Sequence, residues 1–314
     1  MVIRDMQEAG APPSSGVKES VIRWGDYTAT ITERGAALRE LRFRVRDLIV
    51  PFAADAPSPD YRGIIAAPWP NRIADGKYTL NGVVYQVPVN ETERACALHG
   101  LVFDTSWTLE SVDESSLALS CFIRPTEGYP FTLRLLTRYR VDGDGLHASI
   151  TATNIGEETA PYGVCPHPYL LAGPAPLDEW TLEFPAEEFL EVTEDRLLPT
   201  RSRTVSGHEF DFRTARPIGT TKIDHAFTGI RFDAKGRTKL VAHDPSGSGV
   251  GMQWDRNCPW LQIHTADKQA PLPNRLGLAV EPMTCPPNAF NSGRDLVWLQ
   301  PESSHEASWR IFAI

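Results

Sequence analysis

Glu281 closes the apolar run Gly277-Leu278-Ala279-Val280 and is followed at once by Pro282, with Pro286 and Pro287 shortly after. Leu278 to Val280 reads as a short buried strand, which would deliver the carboxylate to a rim with its backbone held on both sides. A carboxylate so placed is poorly solvated, and its pKa rises toward the range of a general base. A strand-end Glu paired with an Arg fits the same segment. His167 lies in Val164-Cys165-Pro166-His167-Pro168-Tyr169-Leu170. Two flanking prolines fix the backbone, so the imidazole is aimed at little entropic cost, as a directional proton donor requires. Cys165 raises the alternative of a Cys/His nucleophilic pair. Side chains at i and i+2 of an extended segment share a face but stand too far apart for an easy hydrogen bond, which argues against thiol chemistry.

Four further segments carry groups that could do chemistry, three of them suited to a polyhydroxylated ring. Arg72 follows Trp69-Pro70-Asn71 and precedes Ile73-Ala74-Asp75-Gly76. Its guanidinium offers five donors in a fixed fork, and Trp69 could supply an apolar face beneath the ring. An Arg that ties loop carbonyls together fits equally. His99, in Ala97-Leu98-His99-Gly100, sits where Gly100 permits a sharp turn at a strand end; a hydrogen-bonded core histidine is the other reading. Asp224 neighbours His225, which suggests metal ligation, yet the chain has no HxH or HExxH to complete a site. An acceptor of sugar hydroxyl protons is the better functional reading of Asp224, and a surface Asp/Lys pair with Lys222 the alternative. In Trp260-Leu261-Gln262-Ile263-His264, alternation puts Trp260, Gln262 and His264 on one face and Leu261 and Ile263 on the other. That polar face fits a carbohydrate surface, and an exposed edge would look the same.

The elements that must position these groups are strands. Tyr27 to Thr32, Val83 to Val89, Thr132 to Val141 and Leu146 to Thr153 alternate with period two and are rich in Val, Ile, Thr and Tyr. Asn81-Gly82 and Asp142-Gly143-Asp144-Gly145 predict hairpins. The 26 prolines and 23 glycines are spread along the chain and punctuate many short strands without marking a domain boundary. No helix of 12 or more residues is expected, and Pro51 to Pro70 is the longest irregular stretch. The expected fold is all-β: one large antiparallel sandwich over residues 17–314 after a loose N-terminal tail at 1–16.

Composition removes several function classes. A net charge of -9 in 314 residues argues against nucleic acid, whose recognition needs a basic face. No stretch approaches the roughly 18 apolar residues of a membrane helix, and the N-terminal residues lack the apolar core of a secretory signal. The five cysteines are widely spaced with no CxxC pair, as free thiols in a reducing compartment would be.

Taken in order, Asn71-Arg72, His99-Gly100, His167 with Tyr169, Asp224, Gln262 and Glu281 resemble the aldose 1-epimerase (galactose mutarotase) family. The resemblance runs from about Val21 to the C-terminus. Its most specific stretches are Pro70-Asn71-Arg72-Ile73-Ala74-Asp75-Gly76, Ala97-Leu98-His99-Gly100 and the region of Glu281-Pro282. It implies a β-supersandwich, cytoplasmic location, no cofactor and no metal, with a small-molecule sugar as substrate. It also implies that Glu281 is the general base and His167 the general acid, with Asn71, Arg72, His99, Tyr169, Asp224 and Gln262 holding the sugar. The family often has His-Ser-Tyr-Phe-Asn where this chain has His167-Pro168-Tyr169-Leu170, Asp-Asp for Asp224-His225, and Phe-Tyr-Thr-Gly for Ile263-His264-Thr265-Ala266. These departures bear on which aldose is taken. A phosphorylated or sulfonated sugar would call on extra cations, for which Arg94, Lys222 and Lys268 are the candidates. A non-catalytic sugar-binding protein and a glycoside hydrolase using Asp224 with Glu281 remain as other classes, as do a monomer and a homodimer.

Overall fold

The computed structural model describes residues 18–53 and 57–314; the tail expected at 1–16 lies outside them. The described residues form antiparallel sheets, of which two are large. One has nine strands. The other has six, in the order Tyr169–Leu170, Leu278–Met283, Trp260–His264, Asp224–Thr228, Glu188–Val192 and Pro199–Thr204. A four-stranded sheet built from Glu19–Trp24, Tyr27–Thr32, Leu38–Phe43 and Arg46–Asp47 packs beside them.

The period-two segments become strands because one face of each is apolar. Leu135 and Tyr139 of the nine-stranded sheet, Ile22 and Leu41 of the four-stranded sheet, and Leu261, Ile263 and Val280 of the six-stranded sheet join one buried cluster. Burying these opposed faces against one another is what makes a sandwich. The one α-helix among the described residues is the single turn Ala289–Ser292. No described helix is long and apolar enough to cross a membrane.

Both predicted hairpins form: Leu80 pairs with Val83 across Asn81-Gly82, both with positive φ, and Asp142 pairs with Gly145. The expected strand at Val83 to Val89 is shorter and ends at Gln86. The irregular stretch Pro51 to Pro70 contains the short strand Ile65–Ala66 and a 3-10 turn at Pro59–Tyr61.

One expectation needs correction. Glu281 does not sit at a strand end: its strand runs through Pro282 to Met283, paired with Trp260–His264 along its length. Proline is tolerated because the Val280 N–H points the other way, toward Pro168, and Pro282 two residues on points the same way. The Tyr169–Leu170 strand pairs only with Leu278 and Ala279, so the missing N–H falls where that ladder has ended.

Candidate active site

Glu281 and Gln262 stand directly opposite each other on neighbouring strands, and Asp224 lies on the next strand over. Gln262 Nε2 donates to Asp224 Oδ1 at 2.6 Å. His167 links two short segments, Cys165–Pro166 and Tyr169–Leu170. Its N–H donates to the Ile64 carbonyl and its own carbonyl accepts from Gly63 N–H. Hydrogen bonds as well as the two prolines therefore hold this backbone.

Asn71, Arg72 and His99 come from one end of a small ladder in which Arg72 pairs with Leu98. Asn71 and His99 both have positive φ, at 53° and 60°, and the His99 N–H donates to the Asn71 carbonyl at 2.9 Å. Gly100 follows with φ of 76°, where an added Cβ would lie 2.1 Å from the Ala67 carbonyl oxygen. Asn90 fixes the approach to the turn, its amide bonding both the N–H and the C=O of Leu98.

All eight residues that the family resemblance assigns to the site line one cavity of about 300 Å³. His167 Nε2 lies 3.3 Å from Glu281 Oε1, and both side chains are almost wholly buried. The His99 and His167 rings meet edge to face at 4.8 Å, and Tyr169 stacks on His167 at 5.4 Å. Burial drives the Glu281 carboxyl well above the usual carboxylate range, and the nearby Asp224 carboxylate adds to the rise. Burial pushes His167 down to about 3, with His264 adding to the fall. Nδ1 of His99, Nδ1 of His167 and Oε1 of Gln262 are buried without a hydrogen-bond partner. The polar side chains of Asn71, Arg72, His99, Asp224 and Gln262 along one cavity suit a ligand rich in hydroxyl groups.

One expectation about this site is revised. Trp69 does not face it: its indole packs on Phe290 and donates to the Ala97 carbonyl in the core. The carboxylate nearest His167 is Glu281, while Asp224 is engaged with Gln262 and lies 3.7 Å from His264 Nδ1. Cys165, weighed against His167 as a partner, instead points its Sγ at Glu281 Oε2.

Several lining residues were missed. Glu91 holds Arg72 through two parallel bonds, 2.7 and 2.8 Å, and also pairs with Arg94. Nothing in Val89-Asn90-Glu91-Thr92 marks it in the sequence. Tyr61 packs against His99 at 4.8 Å and comes from the irregular Pro51–Pro70 stretch. Asp60, also on the cavity lining, binds the Lys268 ammonium. Arg94 and Lys268 line the cavity, whereas Lys222 is exposed and does not. His99, His167 and Glu281 also offer three ligand atoms within 4.8 Å of one another. The orphaned Nδ1 atoms lack the carboxylate or carbonyl partner that orients a metal-bound histidine, so a resident metal fits these residues poorly.

The family model for aldose 1-epimerase matches residues 20–311. YihR, an uncharacterised Escherichia coli protein, is 37% identical over 289 residues, covering 92% of this chain and 91% of its own. Pig galactose mutarotase is 28% identical over 331 residues, covering 96% and 92%. Among solved structures, the Caenorhabditis elegans homologue of GalM/aldose epimerase superposes with a TM-score of 0.83 at 20% identity, covering 95% and 99% of the two chains. A structure of a putative aldose 1-epimerase from Escherichia coli K12 gives 0.81, also at 20% identity, with the same coverage. With the family model spanning nearly its whole length, the chain belongs to the aldose 1-epimerase family.

Proposed function

We propose that this protein is a mutarotase that interconverts the α and β anomers of an aldohexose, with Glu281 as general base and His167 as general acid. The observation that carries the proposal is the buried contact of His167 Nε2 with Glu281 Oε1, on a cavity that Asn71, Arg72, His99, Asp224 and Gln262 also line. Glu281 takes the proton of the C1 hydroxyl while His167 gives one to the ring oxygen. The C1–O5 bond breaks to the aldehyde, the C1–C2 bond rotates, and both transfers reverse on closure. The pair holds one proton throughout, so no net charge enters the buried site.

Burial favours the arrangement in which Glu281 holds that proton and His167 is neutral. This is the form the pair has once the ring is open. A bound ring sugar presents an acceptor, O5, to His167 and a donor, the C1 hydroxyl, to Glu281, which stabilises the opposite arrangement needed to start. Arg72, Asn71, His99, Asp224 and Gln262 hold the hydroxyls, and Tyr169 backs the His167 ring.

One observation favours a second reading, a sugar with an anionic substituent: Arg94 and Lys268 add to Arg72 along the cavity. Three carboxylates on the same cavity, Glu91, Asp60 and Asp224, offset these three cations, so a neutral sugar comes first. The test is anomer conversion of fresh α-D-glucose and α-D-galactose, followed by polarimetry with the uncatalysed rate subtracted. An aldohexose 6-phosphate and Glu281→Gln run alongside. Acceleration lost in the variant supports the proposal. Near-normal turnover by Glu281→Gln would overturn the assignment of the base, and acceleration of the phosphate alone would select the second reading.

A further inference from the structure

Glu281 has two carboxylate oxygens in different surroundings. Oε1 meets His167 on the cavity side. Oε2 turns toward Cys165 and, through it, toward the apolar cluster of that residue, which includes Phe52, Ile64, Leu190, Trp260 and Met283. A carboxylate oxygen facing such a wall loses the hydration it has in water, and an ionised one needs a donor there. Cys165 belongs to the same cluster and is fully buried. Its Sγ lies 3.6 Å from Oε2, and among the described residues it is the one hydrogen-bond donor to that atom.

We infer that Cys165 is a positioning residue for the proton transfer, its S–H donating to Glu281 Oε2 and thereby holding the carboxylate with Oε1 turned to His167. The inference rests on the assignment of Glu281 as the base. The thiol is held by its strand: Cys165 pairs with Ala66, and its Sγ meets Glu281 Oε2 while the residue is not among those lining the cavity. Burial pushes the thiol pKa well up, so it stays an S–H donor and does not compete as an anion. A sulfur donor is weak and nearly apolar, so it fits the hydrophobic wall while still satisfying one oxygen.

The consequences separate hydrogen bonding from packing. Cys165→Ala and Cys165→Val both remove the donor, one leaving a cavity and the other keeping the bulk. Cys165→Ser supplies a stronger donor. Without the bond, the arrangement with ionised Glu281 and charged His167 becomes rarer within the one-proton pair. Glu281 should then lose its proton about one pH unit higher in the Ala and Val variants, and lower than wild type in the Ser variant. The value of kcat should fall roughly tenfold in Ala and Val and recover in Ser, with KM little changed.

The decisive measurement is infrared titration of the Glu281 protonated-carboxyl band in the substrate-free protein, identified by its loss in Glu281→Gln. An upward shift in both Ala and Val and a downward shift in Ser establishes the role. Wild-type titration in all three variants, or a Ser variant that behaves like Ala, overturns it. The infrared readout needs no substrate. If the wild type accelerates no aldose, the functional proposal fails while the band still decides the role of Cys165.

Discussion

His167 Nε2 and Glu281 Oε1 lie 3.3 Å apart with neither side chain more than 6% exposed. Burial pushes the two groups in opposite directions along the pH scale, the carboxyl up and the imidazole down. Both shifts have the same physical origin: each group is held toward its uncharged form. A pair so placed keeps a single proton over a wide pH range, and its titration belongs to the pair.

A pH profile follows from this. The free enzyme becomes inactive on the acid side when the pair takes up a second proton, which then resides on His167. Because His167 is pushed down to about 3, kcat/KM should stay level through about pH 6.5, where an unperturbed histidine titrates, and fall only on approach to that lower value. The alkaline limb, loss of the proton held by Glu281, should lie well above the usual carboxylate range. Initial rates of anomer conversion across pH check both limbs. An acid limb near that of an ordinary histidine would mean that His167 is solvated in the working enzyme.

Glu281→Gln should stabilise the fold while abolishing activity. A carboxyl whose pKa is raised on folding contributes stability below its unfolded pKa, and this is lost as pH rises toward the folded value. At neutral pH the unfolded chain ionises this group freely and the native chain does not, so the native state is penalised. Glutamine keeps the shape and removes the penalty. The expected result is a Tm higher by a few degrees at pH 7, shrinking toward zero near the ordinary Glu pKa of about 4.3. Activity should fall by roughly 10²–10⁴. An unchanged Tm at both pH values would argue that Glu281 is ionised at rest.

Glu91 tests the proposed sugar-binding wall. It accepts two bonds from Arg72 and one from Arg94, and Arg72 is only 7% exposed. Glu91→Ala leaves a buried guanidinium without its carboxylate, a loss of about 3–5 kcal/mol in comparable pairs. The freed Arg72 fork should also raise KM about tenfold, while kcat, which the proposed mechanism assigns to Glu281 and His167, changes less. Glu91→Gln, which keeps one acceptor oxygen, should fall between. A KM unchanged in both variants would mean that Arg72 does not touch the sugar.

The parts of this molecule legible in its sequence are those fixed locally. Alternation gave away strands such as Tyr27–Thr32 and Leu133–Asp142, and Asn81-Gly82 announced its hairpin, because period and turn chemistry act over a few residues. The site residues Glu281, His167 and Arg72 were visible through the prolines and turns around them. Glu91, Tyr61 and the Asp60–Lys268 contact were not, since each is defined by what it meets across the fold. The misread strand end at Glu281 has the same cause. Proline normally ends a ladder, and only the register of Leu278–Met283 against its neighbours shows that here the missing N–H falls outside the pairing. Trp69 beside Arg72 likewise suggested a sugar platform, whereas its indole fills the core next to Phe290.

Gly100 couples the backbone to the site most directly. It follows His99, adopts a φ of 76°, and has the Ala67 carbonyl 2.1 Å from where a Cβ would stand. The same Ala67 carbonyl accepts from the Leu101 N–H at 2.7 Å, so it cannot retreat without losing a bond. Gly100→Ala therefore meets both a left-handed conformation, about 1–3 kcal/mol for a non-glycine residue, and a clash with backbone. Relief requires moving the turn, and His99 moves with it. The expected outcome is a Tm lower by about 5–10 °C together with a substantial loss of anomer conversion. Gly25→Ala is the control, since it also has a positive φ of 53° but nothing within 4 Å of the added carbon. It should lose little stability and no activity. If Gly100→Ala behaved like Gly25→Ala, the His99 turn would be pliable, and its positive-φ geometry would not be what sets the imidazole against His167.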